Sequence, residues 1–217
     1  MELFNLSQEV SLVNPLLAEL RDVDIQGDPL RFRRNIERLG ELFAWEIGRR
    51  MPSVERAVTT PLGTATVPVL REQPVLATIL RAGLPLHQGL LNIFDRADNA
   101  FISAFRKHEG DEASFEVEIE YLAAPSLDDR IVVLCDPMLA TGSSMVLAYQ
   151  ALLARGTPAH THVATVIASR AGVECIQREL PDNCTLWVAA VDEELNDRAY
   201  IVPGLGDAGD LCYGDKV

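Results

Sequence analysis

A short loop of small and hydroxyl-bearing residues is the first part of this sequence that could do chemistry. It occupies residues 136–144, Asp-Pro-Met-Leu-Ala-Thr-Gly-Ser-Ser, and follows the apolar run 131–135. Small residues allow backbone N–H groups to converge on a phosphate, and the start of a following helix favours an anion. The Asp136 carboxylate could accept hydrogen bonds from two hydroxyls of a sugar. The pattern therefore indicates a phosphate-ester site, the alternative being a Gly/Ser turn with a Thr or Ser helix cap.

The loop differs from the two common glycine-rich phosphate motifs. It contains neither G-x-x-x-x-G-K-[ST] nor G-x-G-x-x-G. A nucleoside-triphosphate P-loop and a dinucleotide fingerprint are therefore both excluded at this position. The nature of the site has to be judged from the elements that hold the loop and from the rest of the chain.

Apolar runs of strand length alternate with helical patterns from Pro74 onward. Strands are predicted at 75–80, 101–105, 131–135, 163–168 and 186–191, and helices at 84–94, 143–153 and 172–180. A further strand at 114–121 alternates apolar residues with glutamates, which is typical of a half-exposed antiparallel strand. The alternation predicts a parallel α/β sheet with both faces covered. Ligands of such sheets bind beyond the carboxyl ends of the strands, which is where loop 136–144 lies.

Two more helices are predicted ahead of this core, at 8–21 and 30–50. In the second, five large apolar residues recur at helical spacing, and an Asp-Pro pair at 28–29 supplies a start signal. We expect the two helices to form a flap or a dimer surface. The Thr-, Val- and Pro-rich stretch 58–69 is predicted to be extended.

The charge of the chain limits its partners. The 217 residues carry 32 Asp and Glu against 19 Lys and Arg, a net charge of −13. Binding along a nucleic acid needs many cationic contacts to phosphates, so we expect no nucleic-acid partner. The longest apolar runs are strand-sized and the first residues lack a signal-peptide pattern, so we expect no membrane partner and a cytoplasmic location.

The cysteines and histidines give no metal-ligand pattern. The four cysteines occur without any C-x-x-C, so reduced thiols in a cytoplasmic protein are expected. They are Cys135, Cys175, Cys184 and Cys212. Cys135 ends an apolar run and is expected to be a small buried residue. His160 and His162 form an H-x-H pair, which we interpret as surface histidines because a zinc site would need more ligands nearby.

Four segments, in order, resemble those of the uracil phosphoribosyltransferases. Residues 136–142 are similar to that family's motif for 5-phosphoribosyl 1-pyrophosphate (PRPP). Residues 79–84, Ile-Leu-Arg-Ala-Gly-Leu, resemble its pyrophosphate loop, and Phe105-Arg106 resembles its aromatic-Arg pair at a strand end. Residues 200–210, Tyr-Ile-Val-Pro-Gly-Leu-Gly-Asp-Ala-Gly-Asp, are similar to its uracil-binding segment. The resemblance extends over essentially the whole chain.

The resemblance implies a fold and a domain organisation. The fold would be that of a type I phosphoribosyltransferase: an α/β protein whose central, mostly parallel sheet is flanked by helices, with N-terminal helices and a small C-terminal hood or hairpin. One domain would span residues 1–217, divided into a helical region at 1–50, a core at 74–192 and a base-binding hood segment at 193–217. We also expect a homodimer or a higher homo-oligomer.

The resemblance also implies an activity and its residues. The chain would transfer the phosphoribosyl group from PRPP to N1 of uracil, giving UMP and diphosphate in pyrimidine salvage, with Mg²⁺ carried by PRPP and no protein metal cage. The implied PRPP-binding residues are Arg81, Arg106, Asp136, Pro137, Met138, Leu139, Ala140, Thr141, Gly142, Ser143, Ser144 and Asp207. The implied uracil-binding residues are Ile201, Gly206, Asp207 and Ala208. Asp207 and Arg106 are the implied catalytic residues.

Some positions depart from the family pattern and keep alternatives open. Residues 107–113, Lys-His-Glu-Gly-Asp-Glu-Ala, replace an acidic-Thr pattern, and the lysine usual in the following hairpin is absent. Ser143 stands where a second glycine is common. One alternative is a phosphoribosyltransferase for another base, a second is a non-catalytic PRPP- or UMP-sensing regulator, and a third is a pseudoenzyme. The intact segment 201–208 favours uracil over another base.

Overall fold

The structure is a computed structural model that describes residues 1–108 and 115–215; of residues 104–108 and 115–119 it describes the backbone alone. The strands are β1 (Glu2–Asn5), β2 (Ser53–Thr60), β3 (Gly63–Leu70), β4 (Val75–Leu80), β5 (Asp98–His108), β6 (Phe115–Ala123), β7 (Ile131–Cys135), β8 (Met138–Leu139), β9 (His160–Ser169), β10 (Cys184–Asp192), β11 (Glu194–Leu195) and β12 (Ile201–Val202). The helices are α1 (Val13–Arg21), α2 (Pro29–Gly48), α3 (Leu84–Ile93), α4 (Ser143–Leu152), α5 (Arg170–Glu179) and α6 (Ala208–Tyr213), with a 3₁₀ turn at Leu153–Arg155.

A mostly parallel sheet forms the centre of the molecule. Its strand order is β1-β10-β9-β7-β4-β5-β6, and the short β8 pairs with β9. Each of these pairs is parallel except β5 with β6, which is antiparallel. The predicted α/β class and the antiparallel strand are therefore confirmed. The carboxyl ends of β4 and β7 lie side by side, so the loops that follow them meet at one edge of the sheet.

Helices cover both faces of the sheet. Every residue of β7 is buried, and its side chains alternate between two apolar clusters. Val133 packs in the cluster that contains α1, α2 and α3, whereas Val132 and Leu134 pack in the cluster that contains α4 and α5. This alternation is the two-residue period of a strand buried on both sides.

The N-terminal helices are part of this core. The apolar face predicted for α2 is buried against the sheet, each side chain being at most 1% exposed, and α1 packs on it through Leu17 and Leu20. Burying a side chain of that size stabilises the fold by about 2 kcal/mol. The residues of this face are Phe32, Ile36, Leu39, Phe43 and Ile47. The expectation of a flap is therefore wrong for these helices, and the dimer surface stays a prediction.

The observed helix starts follow local capping chemistry. Asp28 caps α2 by accepting hydrogen bonds from the N–H groups of Leu30 and Arg31, and Pro29 is the first helical residue, as the start signal predicted. α1 begins at Val13 and not at residue 8, because Asn14 turns back to accept a hydrogen bond from the N–H of Ser11.

Two small antiparallel hairpins lie outside the sheet. β2 and β3 form one, and every residue of β2 is exposed. The stretch 58–69 is thus extended as predicted, with a turn at its centre. β11 and β12 form the other, ahead of α6, within the segment predicted as a hood. No helix in residues 1–108 and 115–215 is long and apolar enough to cross a membrane.

The interpretation of His162 as a surface residue is wrong. The residue is 5% exposed, and its Nδ1 accepts a hydrogen bond from Trp187 Nε1 at 3.1 Å. Burial, with a smaller effect of His160, lowers the pKa of His162 to about 3, so the ring is neutral. His160 is half-buried, and its Nε2 lies 2.9 Å from Thr185 Oγ1. Both rings therefore belong to the packing of β9 on β10.

Candidate active site

The loop after β4 is pressed against the end of β7. It contains Arg81, Ala82 and Gly83, follows a cis peptide bond between Leu80 and Arg81, and leads into α3. A Cβ on Gly83 would collide with Thr78 and would lie 2.6 Å from the carbonyl oxygen of Ile79. Only glycine fits there, because the backbone passes this close to its neighbours.

The same contact brings two predicted motifs together. A Cβ on Gly83 would lie 3.2 Å from the carbonyl oxygen of Cys135, the last residue of β7. Asp136 follows directly and is half-buried. The loop that carries Arg81 and the loop that begins with Asp136 are thus neighbours at the carboxyl edge of the sheet. Cys135 is fully buried, as predicted, and burial raises the pKa of its thiol to about 12.

Residues 137–140 are held alongside β9 by hydrogen bonds. The carbonyl oxygen of Pro137 accepts hydrogen bonds from the N–H groups of Val166 and Ile167 at 3.1 and 3.0 Å. Met138 and Leu139 form β8, and Ser169 Oγ donates to the carbonyl oxygen of Ala140. The Leu139 side chain is buried in the core. These residues therefore fix the position from which the loop turns into α4.

The turn into α4 presents hydroxyls and helix N–H groups. Gly142 has φ +88°, and a Cβ on it would lie 2.8 Å from Cys175 Cβ, so the turn requires glycine. Thr141 Oγ1 accepts from the N–H of Ser143 at 3.4 Å and donates to Ser143 Oγ at 3.2 Å. Thr141 and Ser143 are exposed and Ser144 is half-buried. The first N–H groups of a helix lack partners within it, so this end of α4 can receive a phosphate.

The C-terminal segment lies against the Arg81 loop. Arg81 Nη2 is 3.3 Å from the carbonyl oxygen of Gly214 and 3.6 Å from Asp210 Oδ1. A Cβ on Gly209 would lie 3.9 Å from Ala82 Cβ. The Arg81 loop therefore lies next to both the start of the 136–144 loop and the residues around α6. The contact with Asp210 was not predicted from the sequence, because no local pattern encodes an ion pair between residues this far apart in the chain.

Asp207 has a structural task within this segment. Its Oδ1 accepts hydrogen bonds from the N–H groups of Gly209 and Asp210, at 2.8 and 3.1 Å, and so caps α6. Sequence reasoning gave Asp207 a role near the ribose and missed the cap. A substitution that removes the acceptor oxygen, such as Asp207→Ala, changes both the local charge and the start of α6.

The predicted uracil-binding residues lie in and around this segment. Ile201 is buried in β12, and Ala208 is buried at the start of α6. Gly206 is exposed between them with φ +89°, a conformation that glycine adopts without strain. Backbone groups around Gly206 are therefore open to a ligand.

Arg106 lies inside a strand and not at its end. β5 runs to His108, beyond the end predicted at residue 105, and Arg106 pairs with Val117 of β6. The prediction of a strand-end position is wrong because the antiparallel pairing with β6 extends β5. The Arg106 side chain, and residues 109–113 of the stretch that departs from the family pattern, lie outside the described residues.

The described carboxylates, histidines and cysteines do not form a dedicated metal cage. Within the described ranges no group of three or more such side chains could hold a metal ion.

Comparison with known proteins identifies the chain. A family model described as uracil phosphoribosyltransferase matches residues 7–215. Curated uracil phosphoribosyltransferases are similar: that of Porphyromonas gingivalis is 55% identical over 217 residues, covering 100% of both chains. That of Methanothermobacter thermautotrophicus is 44% identical over 189 residues, covering 86% of this chain and 85% of the relative. A solved structure of the AQ2163 protein from Aquifex aeolicus is 30% identical with a TM-score of 0.87, covering 99% of each chain.

These matches, together with the position of loop 136–144 at the carboxyl edge of a mostly parallel sheet, define a phosphoribosyltransferase, which is an enzyme of the transferase class. The chain belongs to the uracil phosphoribosyltransferase family. The resemblance found in its motifs is thereby confirmed.

Proposed function

We infer that the chain transfers the 5-phosphoribosyl group of PRPP to N1 of uracil, giving UMP and diphosphate in pyrimidine salvage. The observation that carries this is the meeting of three loops at one edge of the sheet: the Arg81 loop, residues 136–144 and residues 201–210. One reaction needs a diphosphate clamp, a 5-phosphate site and a base site side by side. Most of its catalysis is positioning and charge stabilisation.

The arginines would hold the diphosphate. A guanidinium donates through a planar fork to paired oxygens, which suits a diphosphate that gains charge as the bond to ribose breaks. Arg81 stands on the loop that touches the end of β7, and its side chain is 41% exposed. We propose that Arg106 approaches from the neighbouring strand β5, since β5 pairs with β4.

The start of α4 would hold the 5-phosphate. The hydroxyls of Thr141, Ser143 and Ser144 and the helix N–H groups supply donors, and Gly142 keeps the backbone close to the ligand. Asp136 would accept from the ribose hydroxyls. Pro137, Met138, Leu139 and Ala140 contribute backbone positions along β9, not side-chain chemistry.

Backbone groups would read the base. Uracil alternates acceptors and donors along one edge, and the main chain around Ile201, Gly206 and Ala208 offers complementary groups. A donor facing O4 of uracil would meet the amino group of cytosine and reject it. The supporting features are the exposed Gly206 and the buried Ile201 and Ala208 that precede and follow it in the segment.

Asp207 would lie near the ribose and near Mg²⁺ that arrives on PRPP. When bound, the ion neutralises part of the diphosphate charge and keeps waters as ligands. The absence of a cage among the described side chains fits an ion carried by its substrate. Asp207 would orient the ribose while capping α6, and Arg106 would stabilise the leaving diphosphate.

We further propose a cytoplasmic homodimer or higher homo-oligomer. Four free thiols favour a reducing compartment. The exposed β2–β3 hairpin, with apolar Val54, Val58 and Val67 about 40% exposed, favours self-association. Light scattering coupled to size-exclusion chromatography measures the mass directly, and a monomer at micromolar concentration would contradict the second proposal.

One assay tests the activity. Purified protein is incubated with PRPP, Mg²⁺ and labelled uracil, with cytosine and hypoxanthine as control bases. We expect UMP and diphosphate in equal amounts from uracil alone. PRPP or UMP binding without turnover would instead indicate a sensing regulator or a pseudoenzyme. Turnover with another base but not with uracil would indicate a different phosphoribosyltransferase.

A further inference from the structure

Arg21 and Asp192 form a bidentate ion pair that also holds the backbone of Gly204. Arg21 Nη1 and Nη2 lie 2.8 Å from Asp192 Oδ2 and Oδ1. Arg21 Nη1 also donates to the carbonyl oxygen of Gly204 at 3.0 Å, and the N–H of Gly204 donates to Asp192 Oδ2 at 2.9 Å. Both main-chain groups of Gly204 are therefore fixed by one pair of side chains.

The position held in this way is the centre of a tight turn. Gly204 has φ +58°, and a Cβ on it would collide with the carbonyl oxygen of Ile201. Ile201 is 3% exposed and is one of the residues proposed to bind uracil. Because Gly204 is packed directly on Ile201, an anchor on Gly204 also sets the position of Ile201.

The pair is largely withdrawn from water. Asp192 is 7% exposed and the Arg21 side chain is 26% exposed. Burial alone would raise the pKa of Asp192, but the hydrogen bonds from Arg21 and from the N–H of Gly204, with the charge of Arg21, outweigh it and lower that pKa. The carboxylate is therefore charged and has three donors, an arrangement that tolerates little displacement.

A second contact supports the same segment from the same helix end. Gln26 Nε2 donates to the carbonyl oxygens of Leu20 and Arg21, the last residues of α1, at 3.2 and 3.1 Å. Its Oε1 lies 3.9 Å from the point where a Cβ on Gly206 would stand. The C-terminal end of α1 thus lies behind both Gly204 and Gly206.

We propose that Arg21 and Asp192 are positioning residues for the base: they hold residues 201–206 where their backbone groups read uracil, and they do so without touching substrate. This inference rests on the proposed base-binding role of that segment. Misplacing a binding group by about 1 Å can cost on the order of a hundredfold in rate. Except for Arg106 and Asp207, the residues proposed to bind PRPP lie on the loops that follow β4 and β7, so the pair should act more strongly on uracil than on PRPP.

The test is the separate KM for each substrate in Asp192→Asn and in Arg21→Gln. Asp192→Asn keeps the shape of the side chain and removes its charge. We expect the KM for uracil to rise about tenfold or more, which is the loss of one charge-assisted hydrogen bond, while the KM for PRPP changes less than twofold.

Arg170→Gln is the matched control. Arg170 also makes a bidentate pair, with Glu193, next to Asp192 in the chain, but the two side chains are 59% and 66% exposed. Neither KM should change in this variant. If Arg21 and Asp192 only stabilise the fold, their variants should have a lower melting temperature, and the KM for uracil should not rise more than the KM for PRPP.

The outcomes separate the two proposals. If wild-type protein makes no UMP, the proposed function fails. If wild type is active and folded Asp192→Asn keeps its KM for uracil, or raises both KM values equally, the positioning role is overturned. Should a single variant fail to fold, the double variant Arg21→Gln, Asp192→Asn, which buries no charge, is measured by the same criterion.

Discussion

Arg81 Nη2 lies 3.6 Å from Asp210 Oδ1, an ion pair that joins the loop after β4 to α6. The distance is too long for a hydrogen bond, and Asp210 Oδ1 has no hydrogen-bond partner among the described residues. The two side chains are 41% and 33% exposed, so the attraction is weak. To turn from Asp210 to an incoming diphosphate, Arg81 gives up this weak ion pair and its hydrogen bond to the carbonyl oxygen of Gly214.

Asp210→Asn should lower the KM for PRPP about two- to threefold. The substitution removes a negative charge beside the proposed diphosphate clamp, and exposed pairs of this kind contribute up to about 1 kcal/mol. The decrease in KM for PRPP should become smaller when ionic strength is raised to about 1 M, because salt screens the effect of the Asp210 charge. Steady-state kinetics with PRPP at low and high salt measures this, with the exposed Asp182→Asn as control. A higher KM in Asp210→Asn would mean that the carboxylate positions Arg81 instead.

Arg81→Lys should raise the KM for PRPP about tenfold or more although the charge is kept. An ammonium cannot donate in parallel to two diphosphate oxygens as a guanidinium does. The KM for uracil should stay close to the wild-type value, and Arg96→Lys, a change on the exposed α3–β5 connection, should leave both constants unchanged. An Arg81→Lys protein with wild-type PRPP kinetics would refute the clamp.

Asp207→Asn and Asp207→Ala separate the two tasks of this residue. Asparagine caps helices about as well as aspartate, so Asp207→Asn should keep the stability of the fold, whereas alanine should lose about 1 kcal/mol. Both variants should lose at least about a hundredfold in kcat, because each removes the carboxylate. Thermal unfolding measures the stability of each variant, and initial rates measure its kcat. Near-normal turnover in Asp207→Asn would leave Asp207 as a helix cap only.

Gly142→Ala should raise the KM for PRPP and destabilise the fold by about 1–3 kcal/mol. Alanine is strained at φ +88°, and its Cβ would be forced against Cys175. Gly156→Ala is the control, since Gly156 has φ +125° and an equally close neighbour, Asp128, but follows the C-terminal end of α4, whereas loop 136–144 leads into its start. It should lose comparable stability at an unchanged KM. An equal KM for PRPP in the two variants would argue against a phosphate site at the start of α4.

The acid sensitivity of the fold should depend on His162. Its pKa is about 3 in the folded protein but about 6.5 in an unfolded chain. Only the unfolded state takes up this proton as pH falls from about 6.5 toward 3, so the free energy of unfolding drops by about 1.4 kcal/mol per pH unit over that window. His162→Gln keeps an acceptor for Trp187. In this variant the free energy of unfolding should fall less steeply with pH, by the contribution of one proton. Urea titrations at several pH values, followed by tryptophan fluorescence, provide the comparison; an unchanged slope would contradict the assignment.

Elements dominated by continuous apolar runs could be predicted closely from the sequence. β4 and β7 have the bounds predicted for them, since uninterrupted burial leaves few alternatives. β9 is longer than predicted because polar Thr161 and His162 are buried in it, His162 through its bond to Trp187. The edge strand β1 was missed; its first two residues are exposed and it is ordered by pairing with β10.

The site motifs could be predicted, whereas the contacts that orient them could not. Loop 136–144 and segment 201–210 carry local patterns of small residues, glycines and acids. The bonds from Arg21 to Asp192 and to Gly204 join residues 171 and 183 positions apart, and no local pattern encodes them. Tertiary pairing decides such geometry, as it also decides the extension of β5 past Arg106.

The anchoring of residues 201–213 to the N-terminal helices makes the position of this segment depend on the first part of the chain. Arg33 of α2 donates to the carbonyl oxygen of Cys212, 179 residues away, just as α1 holds Gly204 through Arg21. All strands of the central sheet precede this segment in the chain, so the sheet can form before the segment docks. A protein truncated after residue 200 should therefore keep the sheet and loop 136–144 but lose the segment proposed to bind uracil.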